Sequence, residues 1–398
     1  MPDAAVVTAV ARTPFGRFGG ALASFSAPEI GALALDEVLR RSGLPPDRID
    51  ALYAGVGMIG GATLSPTRQA LLRSLLPETV PSFGVDRACC SGMTAIALGW
   101  KDIRLGLADA VLCGGFEALS ATPRLLPRTA PTRPGTILTD DPLLLRAPMM
   151  DRQIAVYTGE EAIAHGVSRE DQDRWALQSH ARYFTARDRG FFAAECFPVT
   201  VPDARSGDNL LVHDESPRSD SSLEKLARLA PVYGGLTVTA GNAPGLNDGA
   251  AFLMLMSEQA ARAAGAPVLA RITDYAQIAG GPTSGTSTPA HAIGRILREQ
   301  GLTLHDIDLF EINEAYAATP LVSTSVLAGG DAGLAERLRA RTNIHGGAVA
   351  IGHPLGASGC RIIMALIAAL MGRGGGGGIG ASCGGFGQGD ALLVEVGR

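Results

Sequence analysis

Two adjacent cysteines stand in a run of small residues, Val85-Asp86-Arg87-Ala88-Cys89-Cys90-Ser91-Gly92, and an apolar helical pattern follows from Met93. Ser91 and Gly92 fall near the start of that helix, so Cys89 sits at the turn entering it. The positive end of the helix dipole and nearby backbone N–H groups favour a thiolate there, the reactive form of the side chain. A lone cysteine is more often a small buried hydrophobe. Three further loops argue otherwise: Glu311-Ile312-Asn313-Glu314-Ala315, the glycine-rich stretch 344–359 that contains His353, and Ser382-Cys383-Gly384-Gly385-Phe386-Gly387. Glycines let backbone approach a ligand closely and leave N–H groups free to face an oxyanion. A nucleophilic cysteine, a histidine and a second cysteine in such loops fit thiol chemistry with acid–base support.

The elements that must bring these loops together are legible as patterns. Strands are expected over 4–9, 49–56, 110–113, 249–256 and 307–312. Helices are expected over 27–41, 93–105, 169–190 and 289–300, and again after Asn313. Ser26 caps the first helix, Pro28 lies in its first turn, and Gly43-Leu44-Pro45-Pro46 ends it. Gly55-Val56-Gly57-Met58-Ile59-Gly60 matches G-x-G-x-x-G. However, no helix opens directly and no acidic residue sits on a second strand, so a turn is the better reading than a dinucleotide site.

From residue 270 the pattern restarts. Gly43-Leu44 and Ile49-Asp50 recur as Gly301-Leu302 and Ile307-Asp308, Ser91-Gly92 as Ser358-Gly359, and Cys113-Gly114-Gly115-Phe116 as Cys383-Gly384-Gly385-Phe386. The matches keep chain order, and their spacing grows steadily, as small insertions in a duplicated ancestor produce. The expectation is an α/β chain of two halves, 1–120 plus 250–269 and 270–398, with stacked helices and two mixed sheets in five layers, α-β-α-β-α. A Pro-, Arg-, Asp- and Ser-rich loop domain, 121–249, is inserted between them. Arginines 124, 128, 133, 146, 152 and 218 in that insert are candidates for phosphate contact.

With 398 residues, 46% hydrophobic content, 51 glycines and a net charge of −5, the chain reads as a well-buried enzyme with no global nucleic-acid signature. The six cysteines show neither metal-ligand spacing nor a disulfide framework, which implies reduced thiols and a cytoplasmic location. The N-terminus lacks a basic n-region, and the apolar run 362–371 is too short to span a membrane. Histidines 165, 180, 213, 291 and 305 read as surface or structural.

At these motifs the chain resembles the thiolase family over nearly its whole length. The resemblance is carried by A-x-x-R-T-P-F-G-R-F-G-G-x-L, V-D-R-A-C-C-S-G, T-V-T-A-G-N-A-P-G-L-N-D-G-A-A, N-E-A-Y-A, G-G-A-V-A-I-G-H-P-L-G-A-S-G and a C-x-G-x-G ending. It implies acyl transfer between coenzyme A thioesters, by thiolysis of a 3-ketoacyl-CoA or Claisen condensation with acetyl-CoA. Cys89 would carry the acyl group and His353 would activate its thiol. Cys383 would remove or return the α-proton. Asn313, through a water, and His353 would form one oxyanion hole, and the N–H groups of Cys89 and Gly385 the other. Contacts to coenzyme A are implied at Arg218, Pro244, Leu246, Ala315 and Tyr316. No cofactor or metal is expected, since coenzyme A is substrate and product, and a homodimer or homotetramer in fatty acid metabolism is implied.

Some positions depart from the family pattern. Pro244 stands for a serine, Ala155-Val156-Tyr157-Thr158-Gly159-Glu160 for M-G-x-T-A-E, His345 for an asparagine, and Phe386 for a glycine. These open a different acyl pocket. They also leave two alternatives: an acyl-CoA-binding protein with altered or lost turnover, or a decarboxylating ketoacyl synthase, although that class pairs one cysteine with two histidines.

Overall fold

The computed structural model describes residues 4–58, 64–126, 139–202 and 207–397. Nine strands follow one path through a mixed sheet: β1 (Ala5–Arg12), β2 (Ala51–Gly55), β3 (Ser82–Val85), β4 (Ala110–Ala118), β5 (Asn247–Ser257), β6 (Ala270–Ala279), β7 (Leu309–Ile312), β8 (Gly376–Gly384) and β9 (Gln388–Val396). Their spatial order is β7-β8-β9-β6-β1-β5-β4-β2-β3, with the two-residue strand Gly16–Arg17 added beside β5. The helices used below are α1 (Ala27–Ser42), α2 (Ser91–Arg104), α3 (Ile154–Ala164), α4 (Arg169–Asp188), α5 (Thr288–Gln300), α6 (Ala318–Leu327) and α7 (Leu355–Gly372).

Local chemistry sets several boundaries. At the start of α1 the Glu29 carboxylate accepts from both the Ser26 N–H and its hydroxyl, each at 2.7 Å. At its end Gly43 takes φ +66°, the left-handed conformation that stops a helix.

The internal repeat is visible as topology. The run β1-α1-β2-α2-β4-β5 is matched by β6-α5-β7-α7-β8-β9. In each half the first pairing is parallel (β2 with β4, β7 with β8), and the next two are antiparallel. Two separate sheets were expected, but the halves are joined edge to edge. Ala5–Val7 of β1 pair with residues 270–272 of β6. Each half ends on the equivalent strand, and pairing those two edges satisfies backbone groups that would otherwise be open. The layering survives this join. Helices α2 and α7 pack on each other between the two halves, α1 covers the outer face of β1, β4 and β5, and α5 covers that of β6, β8 and β9.

Helix α7 explains a second difference from expectation. It is longer than the run 362–371, and it is apolar enough over its 18 residues to cross a membrane by composition. Yet 83% of it is buried inside the protein, so its apolarity is that of a central core helix.

The starts of α2 and α7 meet at very short range. A Cβ on Gly92 of α2 would lie 2.4 Å from the Gly356 carbonyl, and one on Gly115 of β4 would lie 2.1 Å from that carbonyl and 2.5 Å from that of Gly55, so the crossing and the strand beneath it tolerate only hydrogen at these positions. The fold therefore predicts that Gly115→Ala destabilises by about 2–3 kcal/mol through overpacking, read as a drop in Tm. Gly55 belongs to the same crossing, at the end of β2, in keeping with a turn. The third glycine of that motif, Gly60, lies outside the described residues, as do Arg128 and Arg133.

Candidate active site

Cys89 lies in the short 3-10 turn Ala88–Cys90 that leads directly into α2. The preceding Ala88 is held at φ +51°, an uncommon conformation for a residue with a side chain. The Ser91 hydroxyl keeps it there, donating to the Ala88 carbonyl at 2.6 Å while accepting the Arg87 N–H at 2.8 Å. Arg87 spans to the other half, reaching Asp390 at 2.5 Å and Gln388 at 2.9 Å on β9. The C-terminal half closes in from the opposite side, where the Ser382 hydroxyl, 3.1 Å from the Cys383 carbonyl, also lies 3.4 Å from the Cys89 carbonyl. Cys383 follows at the end of β8, paired with Gly389. Loops remote in sequence thus converge on one cleft.

His353 completes the arrangement. Its Nε2 is 3.1 Å from the Cys89 sulfur, and its Nδ1 is 2.6 Å from the Ser358 hydroxyl. Ser358 donates its only proton to the Pro354 carbonyl at 2.9 Å. It must therefore accept from Nδ1–H, which leaves the Nε2 lone pair facing the thiol. The ring is held further by its own backbone, whose N–H donates to Asn247 Oδ1 at 3.0 Å, and by Gly352 at φ +116°. Asn313 stands beside it, with Nδ2 3.5 Å from Nε2 and a buried Oδ1 that has no partner among the described residues.

The protonation states differ from the sequence expectation. A dipole-stabilised thiolate was expected at Cys89. Instead burial, the neighbouring Cys383 sulfur and the Glu117 carboxylate push that thiol well above its usual range. Burial, reinforced by Arg361, lowers His353 to about 3. Burial and Glu161 raise Cys383 to about 12. Desolvation outweighs the single helix terminus. The resting site is neutral thiol, neutral imidazole, neutral thiol, so the proton leaves Cys89 only as the sulfur attacks.

Several residues to which the sequence assigns no role hold this site. The Glu314 carboxylate is fully buried and accepts four hydrogen bonds, from Trp175 Nε1, Ser179 Oγ, Asn343 Nδ2 and the Val349 N–H, at 2.8–3.0 Å. It pins the glycine-rich loop to α4. Glu117 accepts the N–H groups of Gly57, Met58 and Gly356, and burial raises it to about 7. Neither role had a local signal, because the partners are separated by up to 239 positions. Of the departures, His345 stacks on Phe191 with ring centroids 3.8 Å apart. None of its ring contacts is with the trio. Phe386 takes φ +64° directly after Gly385.

A cavity of about 330 Å³ lies against the same loop, lined by Arg218, His180, Leu246 and Val349 among others. His180, expected to be surface or structural, is buried there. It accepts the Arg218 N–H at 3.2 Å, and burial together with that arginine lowers it to about 4. Arg124, Arg146 and Arg152 are engaged with Asp141, Asp151 and Glu160, whereas the Arg218 guanidinium forms no ion pair among the described residues. Of the other expected coenzyme A contacts, Pro244 sits between the lining residues Ala243 and Gly245. Ala315 and Tyr316 follow the Asn313-Glu314 turn, and Tyr316 is buried near Cys89 and Cys383, its hydroxyl raised chiefly by that burial.

The Ser358 contact yields a prediction. Ser358→Ala removes the acceptor that fixes the imidazole tautomer. It is expected to lower kcat by at least about 10-fold, within the about 10²–10⁴ that a general base supplies, with KM little changed. Steady-state kinetics check it.

Comparison with known proteins agrees with the geometry. Sequence models of the thiolase N-terminal and C-terminal domains match residues 5–259 and 266–396. A probable acetyl-CoA acetyltransferase of Escherichia coli K12 is 39% identical, covering 99% of both chains. A beta-ketoadipyl-CoA thiolase of Pseudomonas aeruginosa is 38% identical, covering 96% of this chain and 97% of its own. The crystal structure of human mitochondrial 3-ketoacyl-CoA thiolase superposes with a TM-score of 0.93 at 34% identity over 99% of each chain. The same enzyme solved in complex with CoA gives 0.91, again at 34% identity, over 100% of this chain and 98% of that one.

Proposed function

The chain belongs to the thiolase family and is a CoA-dependent acyltransferase with the family's α/β fold, and on that premise we propose how its residues divide the work. In thiolysis the Cys89 sulfur attacks the 3-keto carbon as His353 Nε2 takes the thiol proton. The oxyanion is held by the N–H groups of Cys89 and Gly385. The C2–C3 bond then breaks, and its electron pair becomes the enolate of acetyl-CoA, stabilised at its oxygen by His353 and by Asn313 through a water. Cys383 gives that carbon a proton. Free CoA next attacks the Cys89 thioester, its thiol proton passing to Cys383, while the released Cys89 sulfur recovers the proton held on His353. Condensation is the same path reversed. Each oxyanion donor supplies about 10²–10³ in rate.

The observation that carries this reading is the bare Nε2 of a tautomer-locked imidazole 3.1 Å from the Cys89 sulfur. The test is incubation with acetoacetyl-CoA or a longer 3-ketoacyl-CoA plus free CoA, following thiolysis and the mass of the protein. An acyl adduct on Cys89 supports the assignment, and no adduct with any chain length favours a binding protein.

Coenzyme A is placed in this reading along the Arg218–Leu246 cavity, with Pro244, Ala315 and Tyr316 nearer the cleft and no cofactor required. The division 1–120 plus 250–269, 121–249 and 270–398 is kept as the domain assignment. A homodimer or homotetramer is supported by β3, which ends the sheet and carries an exposed Phe83 stacked on Tyr53 at 5.3 Å. Light scattering after size exclusion reads the mass. A cytoplasmic role in fatty acid metabolism is supported by the six free cysteines and the acyl chemistry.

A further inference from the structure

Helix α3 brings a buried hydroxyl close to the two reactive sulfurs. Tyr157, on α3, is 2% exposed, and its hydroxyl has no hydrogen-bond partner among the described residues. Helix α3 packs against α6, whose buried Thr319 hydroxyl is directed at the Cys383 sulfur. One turn beyond Tyr157, the Glu161 carboxylate accepts the N–H groups of Thr286 and Ser287 and the Ser287 hydroxyl at 2.7–3.1 Å. This fixes α3 against the start of α5. On the near side the backbone of Gly159 approaches Thr237, another buried hydroxyl without a partner. The Tyr157 hydroxyl is raised to about 12, chiefly by burial and then by its neighbours Cys383, Cys89 and Glu161, which puts it near both sulfurs.

A desolvated hydroxyl left unpaired is unfavourable, and such groups persist where a ligand supplies the missing partner. We propose that Tyr157 makes this a pocket for acyl groups that carry a neutral oxygen, a hydroxyl or a second carbonyl, a few bonds beyond the reacting ketone. This deepens the acyltransferase reading and rests on it. The phenol is a neutral donor, which suits an oxygen acceptor. Glu161 has no counter-ion among the described residues, so a chain ending in carboxylate meets like charge in a low-dielectric site. A plain alkyl chain leaves the Tyr157 hydroxyl unpaired.

The test compares three 3-ketoacyl-CoAs of equal chain length, with an alkyl, a hydroxyl-bearing and a carboxyl-terminated chain, in the wild-type protein and in Tyr157→Phe. The wild type is expected to favour the hydroxyl-bearing chain over the alkyl chain by about 10-fold in kcat/KM, with the carboxylate slowest. In Tyr157→Phe the hydroxyl-to-alkyl ratio falls towards one. Because the change removes an unpaired buried hydroxyl, the free variant is expected to melt at or above the wild-type Tm. A wild-type preference for alkyl or carboxylate chains, or a ratio unchanged in Tyr157→Phe, overturns the inference and leaves the acyltransferase reading standing. A lowered Tm overturns its premise that the hydroxyl is unpaired. Absence of thiolysis and of a Cys89 adduct with all three overturns both.

Discussion

Cys89→Ala, His353→Gln and the double variant are expected to fall to nearly the same residual activity. Cys89 and His353 are one device: a thiol that burial keeps protonated has no nucleophilicity until the imidazole 3.1 Å away accepts its proton. Loss of a nucleophile or of its base in a coupled unit lowers kcat by on the order of 10⁶, and the losses do not add. A double-mutant cycle on kcat/KM checks this. If the double variant lost the product of the two single losses, the residues would be acting independently.

The pH profile follows from the same burial. His353 must be neutral to accept a proton, and its folded value of about 3 lies below its ordinary 6.5. It is therefore uncharged throughout the range above about pH 4, and kcat/KM should show no acid limb near 6.5 from this residue. A titration near 6.5 that disappears in His353→Gln would show that the ring is solvated in the working enzyme. For stability the sign is opposite to that of a paired histidine. The unfolded ring takes up a proton that the folded one refuses, so the protein loses stability as pH falls from about 6.5 towards 3.

Cys383→Ala is the second large effect, and it splits the reaction. The variant should still take an acetyl group from acetyl-CoA onto Cys89, since capture needs only Cys89, His353 and the oxyanion donors. Making or breaking the carbon–carbon bond should fall by about 10²–10⁴, the contribution of the lost acid–base group. Two measurements separate the outcomes. Intact mass reports the acetyl adduct, and deuterium uptake at the α-carbon of acetyl-CoA in heavy water reports proton abstraction. Adduct without exchange is the expected result. Exchange at wild-type rate would assign the α-proton to another group, with His353 the nearest base.

Much of the architecture was readable before any coordinates. The signals at Ser26 and Pro28, the stop at Gly43 and the run of apolar residues in β5 are local, and short-range sterics and hydrogen bonds decide them. The duplication was visible because equivalent halves reuse the same dipeptides at equivalent turns. Even so, the joining of β1 to β6 was not visible, since edge pairing depends on how two halves meet rather than on either one.

The sequence alone singled out Cys89, His353 and Cys383 as candidates, because reactive groups in glycine-rich loops leave a compositional trace, and the family resemblance added Asn313. What only the tertiary structure decided was their state. The tautomer of His353 depends on where Ser358 sends its proton. The neutrality of both thiols depends on burial by helices from two halves of the chain, and the posture of the loops depends on Glu314, Glu117 and Asn247. Desolvation and long-range hydrogen bonds are sums over neighbours brought together by folding. They move a proton's affinity by more than any flanking residue does, and no stretch of sequence carries them.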